Sequence, residues 1–195
     1  MNRNLKIFLS KNKVFTNKMA NAFGISNALI IYYTQKKILH KYSRGIYISD
    51  YIDSPELNPI IEELLAILLR LPEGVVCLIS ALNFYNLTDQ IPRNYWLAIP
   101  NKKWAAKIKH TRIFRYRHYE EGKTFLKIEG HEIPIYEKER TIIDCFKFLE
   151  IEIAVKALKL YLKGSTKFKP DLQKLEYYSK ILNKDISDYI RTINT

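Results

Sequence analysis

Residues 16–37 read TNKMANAFGISNALIIYYTQKK, and this stretch decides how the N-terminal part of the chain folds. Thr16 suits a helix start, because its side-chain oxygen can accept an amide hydrogen that the first helical turn leaves unpaired. Met19, Ala20 and Phe23 then recur as one helical face. Gly24 supplies the left-handed backbone of a tight turn. Ile25 packs back into that turn, Ser26 caps a second helix, and Leu29, Ile30 and Tyr33 supply its buried face. A small residue where two helices cross and a glycine where they turn are the marks of a helix-turn-helix. The flanks extend the pattern: Leu5, Phe8 and Leu9 form an earlier apolar helical face. Beyond the second helix, ILHKY (38–42) alternates, SRG (43–45) turns and IYIS (46–49) alternates again, which predicts a β-hairpin. Three helices followed by a two-stranded hairpin is the order of a winged helix.

Charge supports that reading. The 195 residues carry a formal net charge of +12, unevenly spread. Residues 1–49 hold nine Lys or Arg and no Asp or Glu, residues 50–74 hold six acids against Arg70, and residues 102–118 hold seven bases and no acid. A long segment of one sign points to a polyanionic partner, nucleic acid or an anionic membrane. The most apolar run, IIEELLAILLRL (60–71), is too short and too charged to span a bilayer, so no membrane association is expected. With no signal-peptide pattern, and with Cys77 and Cys145 both in apolar surroundings that suit buried free thiols, a cytoplasmic location is expected.

The fold class expected is α+β: a winged helix-turn-helix domain over residues 1–50, then a mixed α/β domain over residues 51–195 with a small antiparallel sheet and C-terminal helices. YIDSP (51–55) reads as the linker, with Ser54 and Pro55 opening a long helix to about Leu71. VVCLISALNFYNLT (75–88) reads as one helix closed at Asn86. Strands are expected at 95–99, 112–119, 123–128 and 132–136, and four amphipathic helices fill the remainder.

With both halves laid out, the chain resembles the AbiEi-type antitoxins of bacterial type IV toxin-antitoxin, or abortive-infection, systems. The resemblance rests on the helix-turn-helix with its Arg44-Gly45-Ile46-Tyr47 wing, on PEGVVCLISALNFYNLT (72–88), and on IPIYEKERTIIDCF (133–146) with Glu139, Arg140, Thr141 and Asp144. It spans roughly residues 5–148. Lys37 and Asn86 stand where the family often has glycine, so each must bear a left-handed backbone or end its helix differently. The resemblance implies operator binding through the winged helix, autorepression, and neutralisation of a cognate nucleotidyltransferase-like toxin.

In a helix-turn-helix the second helix enters the major groove. Its outward residues by spacing are Ser26, Asn27, Ala28, Ile31, Tyr32 and Gln35. The amides of Asn27 and Gln35 match the donor–acceptor pair of adenine, and Ala28 suits a thymine methyl. Lys18, Lys36, Lys37 and Lys41 would neutralise phosphates. Arg44 at the hairpin tip suits a narrow minor groove. In the second basic block, Lys102, Lys103, Lys107, Lys109, Arg112, Arg115 and Arg117 interleave with aromatics. A strand there would put Arg115 and Arg117 on one face and Phe114 and Tyr116 on the other. That face could be a second nucleic-acid contact, a toxin-binding surface, or simply solvated.

Enzymatic readings find little in the residues. Ser80, His131 and Asp144 lack a nucleophile-elbow sequence, and Asp89 with Glu121-Gly122-Lys123 matches a metal-nuclease string in what reads as a hairpin turn. No metal site and no cofactor motif is recognised. The function expected is therefore a non-enzymatic antitoxin and autorepressor. A stand-alone regulator with a sensing or partner-binding second domain is the alternative, and a metal-dependent nuclease the third.

Overall fold

Helix starts in the N-terminal sequence carry the caps predicted at Thr16 and Ser26, and one more at Asn2. In the computed structural model, which describes residues 1–164 and 169–194, α1 (Arg3–Leu9), α2 (Asn17–Ala22) and α3 (Asn27–Gln35) begin where Asn2, Thr16 and Ser26 accept the amide hydrogens of Leu5, Met19 and Leu29. A short strand, β1 (Val14–Thr16), lies between α1 and α2; three residues show too little alternation to announce it. The hairpin of β2 (Leu39–Ser43) and β3 (Ile46–Ser49) completes a three-stranded antiparallel sheet in the order β1-β3-β2. Leu5, Phe8, Phe15, Ile25, Ile30 and Leu39 are central to the core beneath. Phe23, expected on the buried face, is 45% exposed. It is the C-cap of α2, where the helical face has already begun to unwind, and its ring leans on Phe8 at 5.5 Å.

The compact unit runs from Met1 to Pro72, past the junction read at residue 50, because α4 (Pro59–Arg70) packs on β1 and β3. Ala66 of α4 shares a buried cluster with Val14 and Ile46, and Lys13 reaches both Asp50 (3.6 Å) and Glu62 (3.5 Å). The helix starts later than Ser54–Pro55. Asn58 caps it with Pro59 inside the first turn, while the buried Ser54 hydroxyl is hydrogen-bonded to Ser49 at 2.7 Å.

In the second unit, Glu73–Thr195, the stretch read as a single helix at 75–88 divides into β4 (Val75–Val76) and α5 (Leu78–Phe84). Then follow β5 (Tyr95–Pro100), β6 (Thr111–Tyr116), β7 (Lys123–Ile128), β8 (His131–Tyr136), α6 (Lys138–Phe148), α7 (Ile151–Lys163), α8 (Leu172–Ile181) and α9 (Ser187–Asn194). The sheet, ordered β6-β5-β4-β8-β7, is mixed and not the antiparallel sheet expected: β5–β6 and β4–β8 run parallel. The basic loop after β5 crosses back before β6 begins, so the two strands share a direction that local alternation does not record. β6 also ends at Tyr116, short of residue 119, because the His118 carbonyl turns away to accept a hydrogen bond from Arg140.

α6 is the hub of this unit. Every residue from Glu139 to Phe146 is buried, and α5, α7 and α8 pack around it. Nine helices and two sheets, of three and five strands, thus make an α+β architecture among the described residues.

Candidate nucleic-acid interface

The turn between α2 and α3 is built as the sequence requires. Gly24 lies at φ +78° with open space where a Cβ would stand, so glycine serves the backbone angle and not a close contact. Its amide bonds the Asn21 carbonyl and that of Ile25 bonds Ala20, both at 3.0 Å, the double closure of a Schellman motif. Ile25, 1% exposed, packs back as predicted. The same closure ends α3, with Lys37 at φ 57°, and α5, with Asn86 at φ 56°. Lys37 and Asn86 therefore adopt the left-handed backbone themselves, at a cost of roughly 1–2 kcal/mol for an ordinary side chain and less for asparagine.

α3 presents Ser26, Asn27, Ala28, Ile31, Tyr32 and Gln35 to solvent on one face, while Ile30 is buried. Tyr32 packs edge-on against Tyr33 at 5.0 Å, and the Lys36 ammonium sits 5.8 Å from its ring centroid. Lys18, Lys36, Lys37, Lys41 and Arg44 are all exposed. Among the described residues none of the five has an ion-pair partner. Arg44 occupies the β2–β3 turn beside Gly45, at φ +75°. Three acids of this unit are engaged elsewhere: Asp50 with Lys13 and His40, Glu62 with Lys13, and Glu63 with the Tyr42 hydroxyl. Burial and Glu63 together push that hydroxyl's pKa up to about 12.

The second basic block divides by role. Lys102, Lys103, Lys107, Lys109, Arg112, Arg115 and Arg117 are exposed; along β6, Arg115 stands on the face opposite buried Tyr116 and half-buried Phe114, whereas Arg112 shares their face. Arg112 is drawn back onto the rings of Trp96 (4.4 Å) and Phe114 (5.2 Å), and Lys103 pairs with Glu73 at 3.1 Å. β6 is an edge strand, so its arginines stand at an open rim of the sheet.

Arg140 and Asp144 form the i, i+4 pair that their spacing predicts, at 2.8 Å and both buried. Arg140 Nη1 also donates to the carbonyls of His118 (2.9 Å) and Glu121 (2.6 Å), tying the β6–β7 turn to α6. Burial outweighs the pull of the guanidinium and raises the Asp144 carboxyl to about 6. Glu139 accepts from the Tyr161 hydroxyl at 2.5 Å, and Glu137 accepts from Tyr178 and Lys174, so these acids join α6 to α7 and α8. The sequence reading does not anticipate that Arg140, Asp144 and Lys147, at i, i+4 and i+7 on α6, line a cavity with Arg115 of β6 and Arg117 just beyond it. That spacing was the available signal.

Residues weighed for catalysis are engaged separately. Ser80 Oγ accepts from the Trp96 amide at 2.9 Å, Asp144 holds Arg140, and His131 pairs with Ile128 beside the β7–β8 turn. The strained backbone of the β4–α5 turn falls on buried Leu78, at φ 48°, and not on a nucleophile. Asp89 pairs with Lys156, and no cluster of three or more His, Cys, Asp or Glu able to hold a metal occurs among the described residues. Cys77 and Cys145 are buried and unbonded, and burial pushes both thiols well above their usual range. No helix among the described residues is long and apolar enough to cross a membrane.

Compared with known protein families and with curated proteins, the chain matches no family model and no curated sequence.

Proposed function

We propose that Met1–Pro72 is a winged-helix domain that binds double-stranded DNA, and that the chain is a non-enzymatic antitoxin and autorepressor acting in the cytoplasm. The observation that carries the DNA reading is the solvent face of α3. It holds exposed Asn27, Tyr32 and Gln35, and the same unit carries five exposed cations, Lys18, Lys36, Lys37, Lys41 and Arg44, without ion-pair partners among the described residues. With α3 in the major groove, Asn27 at its first turn reads a base edge and Ala28 meets a thymine methyl. Lys18, Lys36, Lys37 and Lys41 hold phosphates, and Arg44 enters the minor groove from the wing. Autorepression and neutralisation of a nucleotidyltransferase-like toxin rest on the resemblance of residues 5–148 to AbiEi-type antitoxins. A stand-alone regulator with a sensing second domain is the other reading, favoured by the cationic cavity in Glu73–Thr195.

Fluorescence anisotropy with DNA from upstream of the chain's own operon tests the proposal. Asn27→Ala weakens binding by roughly 1–3 kcal/mol and relaxes base preference. Replacing Lys36 and Lys37 with Gln weakens all sequences alike and flattens the salt dependence by about one unit of slope per lysine. An Asn27→Ala variant that binds like the wild type removes that residue from the interface.

A further inference from the structure

A cavity of about 430 Å³ opens in the second unit between the end of β6, α6 and the C-terminal end of α8, within the roughly 300–1,000 Å³ range of small-molecule sites. Arg115, Arg117, His118 and Lys147 line it, over a floor that includes Arg140 and Asp144. Asp144 is the one carboxylate of the lining, and it is engaged by Arg140. Among the described residues, Arg115, Arg117 and Lys147 have no ion-pair partner. Arg115 Nε reaches the Lys103 carbonyl at 3.4 Å, which leaves its terminal nitrogens available. Lys147 Nζ donates to the Leu182 carbonyl at 2.7 Å, so its ammonium is held at the cavity with two donors to spare. That bond also offsets the partial negative charge of the α8 C-terminus, which would otherwise repel an anion.

The wall beside these cations is aromatic. Phe148 is 46% exposed and stacks on buried Tyr116, with ring centroids 5.5 Å apart and planes at 10°. Guanidinium forks and an ammonium match phosphate oxygens, and a half-exposed ring matches a planar base. We propose that this cavity binds a mononucleotide, its phosphate held by Arg115, Arg117 and Lys147 and its base against Phe148. A duplex backbone is a poorer match, because its convex surface cannot follow a concavity whose floor includes Arg140, 1% exposed. The proposal is independent of the DNA-binding reading, since every lining residue belongs to Glu73–Thr195.

Calorimetric titration of the full chain with AMP, GMP, CMP and UMP, beside inorganic phosphate, the matching nucleosides and a single-stranded oligonucleotide, is the test. The expected result is saturable binding of at least one monophosphate. Its nucleoside and inorganic phosphate should bind at least roughly ten-fold more weakly, as should the monophosphate itself to Arg115→Gln/Arg117→Gln. Both arginines are exposed, so that variant keeps its fold, and Lys127→Gln/Lys159→Gln serves as the charge-matched control that should bind like the wild type. Three outcomes overturn the proposal: no monophosphate saturates, inorganic phosphate binds as tightly as any monophosphate, or the arginine variant loses no more affinity than the control. Binding of the oligonucleotide alone overturns it too, and assigns the β6 edge to nucleic acid instead.

Discussion

Arg140 is a permanent charge inside a hydrophobic core, which is tolerable only when its donors are used. It bonds one carboxylate and two backbone carbonyls, and its stem leaves no room at the neighbouring turn. A Cβ on Gly122 would stand 2.9 Å from Arg140 Cβ and 2.9 Å from the Tyr178 hydroxyl, at a φ of +71°. Gly122→Ala should therefore cost at least about 2 kcal/mol in urea unfolding, since left-handed strain and overpacking add. Asp144 makes a second, pH-dependent prediction. Its folded pKa, about 6, lies above the ordinary 3.8, so between those values the native state keeps a proton that the unfolded chain has released. The wild type must then lose stability relative to Asp144→Asn as pH rises through that window, by on the order of 3 kcal/mol. A difference that stays flat or grows with pH would mean that the pull of Arg140 wins over burial.

At the scale of elements, helix ends in this chain are closed in two recurring ways: a side-chain cap at the start of α1, α2, α3, α4 and α8, which α5, α6 and α7 lack, and a left-handed residue just past the end of α2, α3, α5 and α8. Ser26 belongs to both the fold and the proposed DNA contact, because its hydroxyl accepts the Leu29 amide at the N-terminus of α3. Ser26→Ala should cost about 1 kcal/mol of stability, whereas Ser26→Asp should keep the cap yet weaken DNA binding by adding a negative charge next to phosphates. Thermal melts and anisotropy on the same two variants separate capping from DNA contact. The α6 helix obeys a different constraint. Surrounded on all sides, it carries Glu139, Arg140, Thr141 and Asp144 where an amphipathic pattern would demand apolar residues, and each is satisfied by a partner from another element or from its own next turn.

Across the whole molecule, the boundary between the two units is set by what covers the sheets. α4 seals Val14 and Ile46 of the N-terminal sheet, so a fragment of residues 1–72 should unfold cooperatively on heating. A fragment of residues 1–50 should expose that cluster and melt without a sharp transition. Similar cooperative melting of both fragments, followed by circular dichroism, would return the junction to residue 50. The change of charge at Asp50 is real in the sequence, yet it marks an ion pair with Lys13 inside the first unit and not the end of that unit.

By itself the sequence determined α2, α3 and the Gly24 turn between them, the hairpin tip at Arg44-Gly45, the outward face of α3, the Arg140–Asp144 pair and the four C-terminal helices. All of these depend on residues a few positions apart, through periodicity, caps and glycine angles. Only the tertiary structure decided that β1 and β4 exist, that the larger sheet is mixed, that α4 belongs to the first unit, and that Lys147 meets Arg115 and Arg117 around one cavity. Those features depend on hydrogen bonds and burial between segments far apart in the chain, and a three-residue strand or a two-residue one carries no local pattern from which its partner can be read.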